Sequence, residues 1–314
     1  PLNQFHTLAF SVAYDLDIPG FFDLLSMSGV SMLRTERRDE EPAVLLGGPL
    51  TASNPLPFGP FVDLAVIGDA EDALPLLLDA LEEASGRADL VQRCASIPGV
   101  WVPAIHGDAV PSTQKVSAGA LPAYGQILTP HTELSNMFLI EASRGCPRYY
   151  RFCLVRAPES PMRESELDAV MAHVPDHAPR VGFVGAAVSE WSGIREAIRK
   201  VVDSGRGVGV SSLRADRLDR EFVELLAQGG YRTMTVASDA PSQRLRNKLA
   251  KGIRTRHLRL AAELGRDAGM SRLKMYLIMG LPDEQDDDIS ELIEFARELS
   301  AVLPLALGIS PLVP

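Results

Sequence analysis

Cys146 and Cys153 stand seven residues apart in the segment Glu141-Ala-Ser-Arg-Gly-Cys-Pro-Arg-Tyr-Tyr-Arg-Phe-Cys153. Cys146 is set in a Gly-Cys-Pro turn, with Arg144, Arg148, Arg151 and Arg156 around it. Electropositive surroundings favour thiolate, the form of cysteine that ligates metals. Iron–sulfur clusters are held by thiolates on short loops, and close cysteine spacing is their usual mark. Two plainer readings stand beside that one. A free cysteine is most often a small buried hydrophobe. Zinc needs four tetrahedral ligands, and the sequence has neither a Cys-x2-Cys pair nor paired histidines. His6, His106, His131, His173, His177 and His257 are scattered and read as surface or loop residues, and Pro175 breaks the spacing of His173 and His177. Cys94, between Arg93 and Ala95, reads as structural. The five arginines at 144, 148, 151, 156 and 163, against Glu141 and Glu159, suggest an anion site.

The elements that must carry this loop are legible downstream of it. Short apolar runs recur at Phe138–Ile140, Val181–Val184, Val208–Ser211, Thr233–Val236, Leu273–Met279 and Leu305–Ile309. Between them, Ile194, Ala197, Ile198, Val201 and Val202 follow the spacing of one helix face. Phe222, Leu225 and Leu226 do the same behind Asp219 as N-cap, and the pattern ends at Gly229-Gly230. Ile289, Leu292, Ile293 and Ala296 repeat it, with Asp286, Asp287 and Asp288 at the positive end of the dipole. Leu167, Val170, Met171 and Val174 make a fourth face.

Strand–helix alternation means βαβ units and a parallel sheet, because a parallel return needs a crossover. Six units are too few for a closed eight-stranded barrel and suit an open, partial (β/α)6 barrel or a doubly wound sheet. In both, the site lies at the carboxyl ends of the strands. That puts Glu141–Cys153, Gly185–Glu190, Ser211–Arg214, Ala237–Gln243 and Gly280–Glu284 on one rim. Strand order is not readable at this stage. Residues 1–85 read as a smaller α/β domain, with strand runs at Leu8–Val12, Val44–Leu46 and Leu64–Ile67 and a helix over Leu74–Leu81. Residues 86–135 read as a connector with a short hairpin around His106-Gly107-Asp108, and 136–314 as the barrel.

Composition bounds the rest. The chain has 314 residues, 46% hydrophobic and 23% charged, with 31 basic and 41 acidic side chains and a net charge of −10. That length suits about two domains, and the acidic balance argues against a nucleic-acid binder. The longest apolar run considered, Ala301–Ile309, is nine residues and carries Pro304, well short of the roughly 20 a membrane span needs. Three cysteines make no disulfide framework, so a reducing compartment, the cytoplasm, is expected. No signal peptide is visible. The start at Pro1-Leu2 and the stop at Pro311-Leu312-Val313-Pro314 read as a fragment of something longer.

The cysteine segment resembles the cluster loop of the radical S-adenosylmethionine (SAM) superfamily, Cys-x3-Cys-x2-Cys with an aromatic before the last cysteine. Cys146 matches the first ligand, Cys153 the third and Phe152 the aromatic, while Tyr150 stands at the middle ligand position. The resemblance implies three thiolates binding three irons of a [4Fe–4S] cluster. SAM would chelate the fourth iron, and an electron would split the sulfonium to a 5′-deoxyadenosyl radical. Further matches follow in the family's order. Gly185-Ala186-Ala-Val-Ser189 resembles the glycine-rich turn at SAM's methionyl amine, and Ser212 and Arg214 resemble the residues that hold its ribose and carboxylate. Asp239 stands where related proteins carry an acidic group, and Ile278 and Gly280 lie on the segment resembling the adenine-contacting strand and turn.

Leu46-Gly-Gly-Pro49 and Asp63–Glu71 are similar to the second half of a cobalamin-binding-like, Rossmann-like domain preceding such cores. The Asp-x-His-x-x-Gly segment that supplies a cobalamin ligand in many such domains is missing. The implied architecture is a partial (β/α)6 TIM-like barrel after a truncated Rossmann-like α/β domain. The implied function is a radical SAM enzyme with a [4Fe–4S] cluster and SAM, cobalamin left open, and substrate and electron donor unspecified. With Tyr150 at the middle position, the alternative is a SAM- or cobalamin-binding protein with a degenerate cluster loop and no radical chemistry.

Overall fold

A computed structural model describes residues 2–116, 120–155, 160–211 and 213–312. The chain divides into two compact units, Pro1–Ala120 and Leu121–Pro314.

The first unit is a four-stranded sheet. β1 (Thr7–Ser11), β2 (Ala43–Gly47) and β3 (Leu64–Val66) run parallel in that order, and β4 (Val100–Trp101) closes the edge antiparallel to β3. α1 (Ile18–Ser28) packs Phe21 and Leu25 with Leu8, Val44, Leu46 and Phe58. α2 (Ala73–Glu83) and α3 (Arg87–Cys94) pack Leu77, Ala80, Leu90 and Cys94 with Ala43, Leu64 and Val66. Parallel strands covered by helices read as continuous apolar runs, which is why β2 and β3 were legible, whereas the edge strand β1 leaves Ala9 and Ser11 exposed. Asp63 is buried, accepts Val44 N–H at 2.8 Å, and is paired with Arg37 at 2.5 Å and Arg87 at 2.8 Å. A carboxylate removed from water is tolerated when it is this fully partnered.

The connector expected over 86–135 does not stand apart. Its first part belongs to this unit: α3 and β4 lie within it, and Gly68 bridges to Gln114 beyond the end of β3. Asp69 N–H donates to Gln114 O at 3.1 Å and Val116 N–H to the Asp69 carboxylate at 2.8 Å. In place of the hairpin at 106–108 is one helical turn, α4 (Pro103–His106), with Pro103 at its start and His106 Nδ1 accepting from Val102 N–H at 3.0 Å.

The second unit carries six parallel strands in sequential order. β5 (Met137–Glu141), β8 (Arg180–Val184) and β9 (Gly207–Val210) form one ladder, and β10 (Thr233–Ala237), β11 (Arg272–Met279) and β12 (Leu305–Pro311) the other. A parallel bridge from Leu213 to Val236 joins them. Where β9 and β10 splay, the Tyr231 hydroxyl accepts from Val210 N–H and donates to Val210 O, so the open ladder positions stay satisfied. β6 (Ser143–Arg144) and β7 (Arg163–Glu164) form a two-stranded antiparallel clip after β5.

The helices between the strands are α5 (Leu167–Ala172), α6 (Ile194–Asp203), α7 (Arg220–Gln228), α8 (Gln243–Lys248), α9 (Thr255–Asp267) and α10 (Asp286–Val302). α6 buries Ile194, Ala197, Ile198 and Val201 as its spacing predicts, and Asp219 caps α7 by accepting Phe222 N–H at 3.0 Å. The α10 stripe is rotated from the expected one. Asp288, Leu292, Phe295 and Leu299 are buried while Ile293 is 47% exposed. The cause is polar: Ser242 and Arg244 both bond the Asp288 carboxylate and draw that face inward. Among the described residues no helix is long and apolar enough to cross a membrane.

Candidate functional site

The cysteine loop leaves the carboxyl end of β5 and is tied down on three sides. Ala142 N–H donates to Val184 O at 3.0 Å, Cys146 N–H to Ser160 O at 2.9 Å, and Arg151 N–H to Leu249 O at 3.2 Å. Gly145 is obligatory here. Its φ is +80°, and a Cβ would stand 2.3 Å from the Pro161 carbonyl oxygen. The turn therefore presents Cys146 and Cys153 from a fixed backbone.

Cys146 is buried and Cys153 half-buried. Burial pushes the Cys153 thiol up; the neighbouring Cys146 adds to that and Lys251 pulls it back. Tyr150, at the middle ligand position, is stacked on Phe152 at 5.8 Å with 10° between the rings. The Lys251 ammonium stands 4.4 Å and the Arg214 guanidinium 5.6 Å from its ring centre. Lys251 is buried and also paired with Asp239. Among the described residues no group of three or more His, Cys, Asp or Glu side chains is arranged to hold a metal. The donor set of the loop is two thiols and a phenol.

The expected arginine-rich anion site is largely self-neutralised. Arg144 is bidentate to Glu141, at 2.8 and 2.7 Å. Arg148 is bidentate to Glu190, with Nε at 2.8 Å, a hydrogen bond that raises the already high pKa of Arg148. Arg156 and Ser212 lie outside the described residues. A bidentate guanidinium–carboxylate pair spends most of its donors on its partner, so these two arginines shape the loop.

Arg214, on the loop after β9, is paired as well but not through every nitrogen. Its Nε and Nη2 donate to Asp216 at 2.9 and 2.8 Å, and Glu190 lies at 3.5 Å. Its Nη1 is buried with no hydrogen-bond partner among the described residues. Burial pushes the Asp216 carboxyl up, but the bonds from Arg214 outweigh this and hold it low. Ser189 is buried and its hydroxyl accepts Arg214 N–H at 3.3 Å, so it positions the arginine's backbone.

Neighbouring rim loops are laced together. Ser211 Oγ donates to Gly185 O at 3.1 Å, and Ser238 and Asp239 N–H both donate to Tyr276 O, at 3.0 and 3.1 Å. A Cβ at Gly185 would stand 2.6 Å from Ser143 O, so the β8 turn passes directly over the loop's root. Ser143 Oγ, fully buried at that contact, has no partner among the described residues. Ala186 is exposed beside it. Gly280 was expected to allow close approach of a ring. Its φ of +79° is what requires glycine, the space where a Cβ would go is open, and its N–H donates to Glu284 at 3.1 Å. Ile278 is half-buried against Ala240, Leu245 and Leu281.

Cys146, Tyr150, Phe152, Cys153, Arg214 and Asp239 are thus linked through Lys251 and Glu190, neither of which the sequence reading singled out as a site residue. Glu190 carried a signal, as a lone acid at the end of an arginine-facing rim loop. Lys251, after α8, carried none.

Comparison with known proteins gives the family and the fold. Residues 140–296 match the family model of the Radical SAM superfamily, and residues 1–103 that of Radical SAM proteins, N-terminal. The uncharacterized protein MJ0966 of Methanocaldococcus jannaschii is 28% identical over 296 residues, 91% of this chain and 63% of that one. The structure of OxsB, described as a cobalamin-dependent S-adenosylmethionine radical enzyme with aqua-cobalamin and S-adenosylmethionine bound, superposes with a TM-score of 0.61 at 15% identity. That match covers 92% of this chain and 43% of OxsB. Apo OxsB gives the same score over 93% of this chain. The chain therefore spans less than two thirds of each of these relatives, and the partial-barrel fold is common to it and OxsB.

Proposed function

The chain belongs to the radical SAM superfamily, and we propose that it is a radical SAM enzyme whose cysteine loop holds a [4Fe–4S] cluster beside SAM. The observation that carries this is Arg214. A buried guanidinium nitrogen with no partner costs about 1–3 kcal/mol, and it stands at the strand tips within reach of the loop that presents two thiols. A carboxylate such as SAM's would complete it. When bound, the cluster would supply the electron that cleaves the sulfonium.

The protein's own residues bind and orient. Cys146 and Cys153 would hold the cluster, with the Tyr150 phenol at the third position. Gly185 and Ala186 would face the methionyl end of SAM, and Ser212 its ribose. Glu190 fixes Arg148 and Arg214 together, so the cluster loop and the SAM rim share one buried carboxylate. Gly280 and Ile278 would border the adenine. The thiol pair suits a reducing compartment such as the cytoplasm. Reaction type, substrate and electron donor belong to parts of the chemistry that fold alone does not specify.

Cobalamin fits less well. The two front turns that resemble a cobalamin domain are filled by the chain's own backbone. A Cβ at Gly48 would meet Val12 O at 2.6 Å, and one at Gly68 would meet Gln114 O at 2.4 Å.

A second reading, a SAM-binding protein without radical chemistry, is favoured by one observation, the clamping of Tyr150 between Phe152 and Lys251. Calorimetry with SAM on anaerobically reconstituted protein separates the two. The enzyme reading expects SAM binding weakened roughly tenfold or more by Arg214→Gln, together with iron uptake and SAM cleavage. SAM binding with no iron uptake supports the second reading, and no SAM binding at all overturns both.

A further inference from the structure

Below the rim, the first ladder of the barrel lines an open cleft of about 510 Å3, inside the roughly 300–1,000 Å3 range of small-molecule sites. Its upper end reaches Val184 and Ser211, next to the Gly185 turn, and its lower end reaches Arg180, Gly207, Tyr231 and Arg232 at the amino ends of the strands. The walls are apolar for a specific reason. Gly182 and Gly209 leave space that the Met137 side chain overlies, with Sδ 2.7 Å from where either Cβ would stand. Methionine is flexible enough to yield to a ligand, and Leu139 continues the same face.

The lower mouth carries the opposite chemistry. The Arg180 stem lies across Gly207, its Cγ 3.1 Å from a Cβ there, and Arg180 lines the opening. Arg232 lines the same mouth. In a protein of net charge −10, neither guanidinium has a hydrogen-bond or ion-pair partner among the described residues. Most other arginines of this unit are paired, among them Arg144, Arg148, Arg195, Arg199, Arg214 and Arg259.

We propose that this cleft takes a ligand with an apolar body and an anionic end, the body along Met137, Leu139, Gly182 and Gly209 and the carboxylate or phosphate between Arg180 and Arg232. Resting on the radical SAM reading, this names the substrate class: the end away from the anion would lie toward the Gly185 turn. Binding itself needs neither iron nor SAM.

The test uses two fluorescent probes on the full chain, 8-anilinonaphthalene-1-sulfonate and its uncharged counterpart N-phenyl-1-naphthylamine. The double variant Arg180→Gln/Arg232→Gln, changed only at exposed side chains, is expected to weaken the sulfonate probe about tenfold and leave the neutral probe within about twofold. Gly209→Val, with its fold checked by thermal unfolding, is expected to weaken both probes. Undiminished sulfonate binding in the arginine variant overturns the proposal. So does undiminished binding of both probes by a folded Gly209→Val; should that variant not fold, Gly182→Ala takes its place with the same reading. Because both probes are read without cluster or SAM, failure here leaves the radical SAM reading standing, and absence of iron uptake leaves the probe result standing.

Discussion

The Lys251 ammonium stands 4.4 Å from the centre of the Tyr150 ring while its charge is balanced by Asp239. One buried cation therefore fixes both the loop position where a third thiolate is expected and the acid at the tip of β10. A cation over an aromatic face is worth about 0.5–2 kcal/mol, more as it is desolvated. A double-mutant cycle of Lys251→Met and Tyr150→Leu, read by denaturant unfolding, is expected to give a coupling of about 1 kcal/mol. Additive losses would show that the two groups are merely adjacent.

Glu190 gathers Arg148, Arg214 and Arg217 onto one carboxylate whose side chain is 5% exposed. Glu190→Gln keeps the shape and removes the charge, leaving the partly buried Arg148 guanidinium short of an anion while Arg214 keeps Asp216. The expected loss is about 2–4 kcal/mol of stability, with SAM affinity falling alongside. Unchanged stability by thermal unfolding would mean that the three arginines find solvent instead.

Asp288 gives a pH signature. Hydrogen bonding from Arg244, and then from Ser242 and the Gln285 N–H, outweighs burial and draws its carboxyl from 3.8 down to about 2. A depressed folded-state pKa stabilises above the unfolded value and is lost as pH falls through the folded one. Stability should therefore decline between about pH 4 and pH 2 in the wild type, and Asp288→Asn should flatten that part of the curve. An unaltered acid limb in the variant would contradict the assignment.

The three thiols should separate chemically. Burial alone pushes Cys94 up to about 11, and it is fully enclosed by α2, α3 and the sheet. Alkylation of the iron-free native protein should mark Cys153 first and Cys94 only after denaturation. The same shift makes the fold lose stability as pH rises above about 9, where only the unfolded thiol ionises. Early labelling of Cys94 would show its core opening locally.

How much of this could be read in the chain differs by element. The six barrel strands were legible as short apolar or β-branched runs between helical segments, although β12 leaves Leu307 and Ile309 exposed. α6 was legible because its buried face is uniform. α8 was not, because it buries a charged residue, Arg246, whose guanidinium donates to Thr255 at 2.7 Å. α1 hid behind Pro19-Gly20, which look like a turn but occupy its first positions. At the site, the cysteine loop was readable as a local motif. The Arg148–Glu190 and Lys251–Asp239 pairs were not, since they join residues from separate loops and only the folded barrel brings them together.

The most direct measurement is iron and sulfide content after anaerobic reconstitution, for the wild type, Cys146→Ala/Cys153→Ala and Tyr150→Cys. A loop built for a [4Fe–4S] cluster predicts about four irons per chain in the wild type, loss in the double variant, and tighter retention with more SAM cleavage in Tyr150→Cys. Iron content in the wild type and Tyr150→Cys no higher than in the double variant would contradict it.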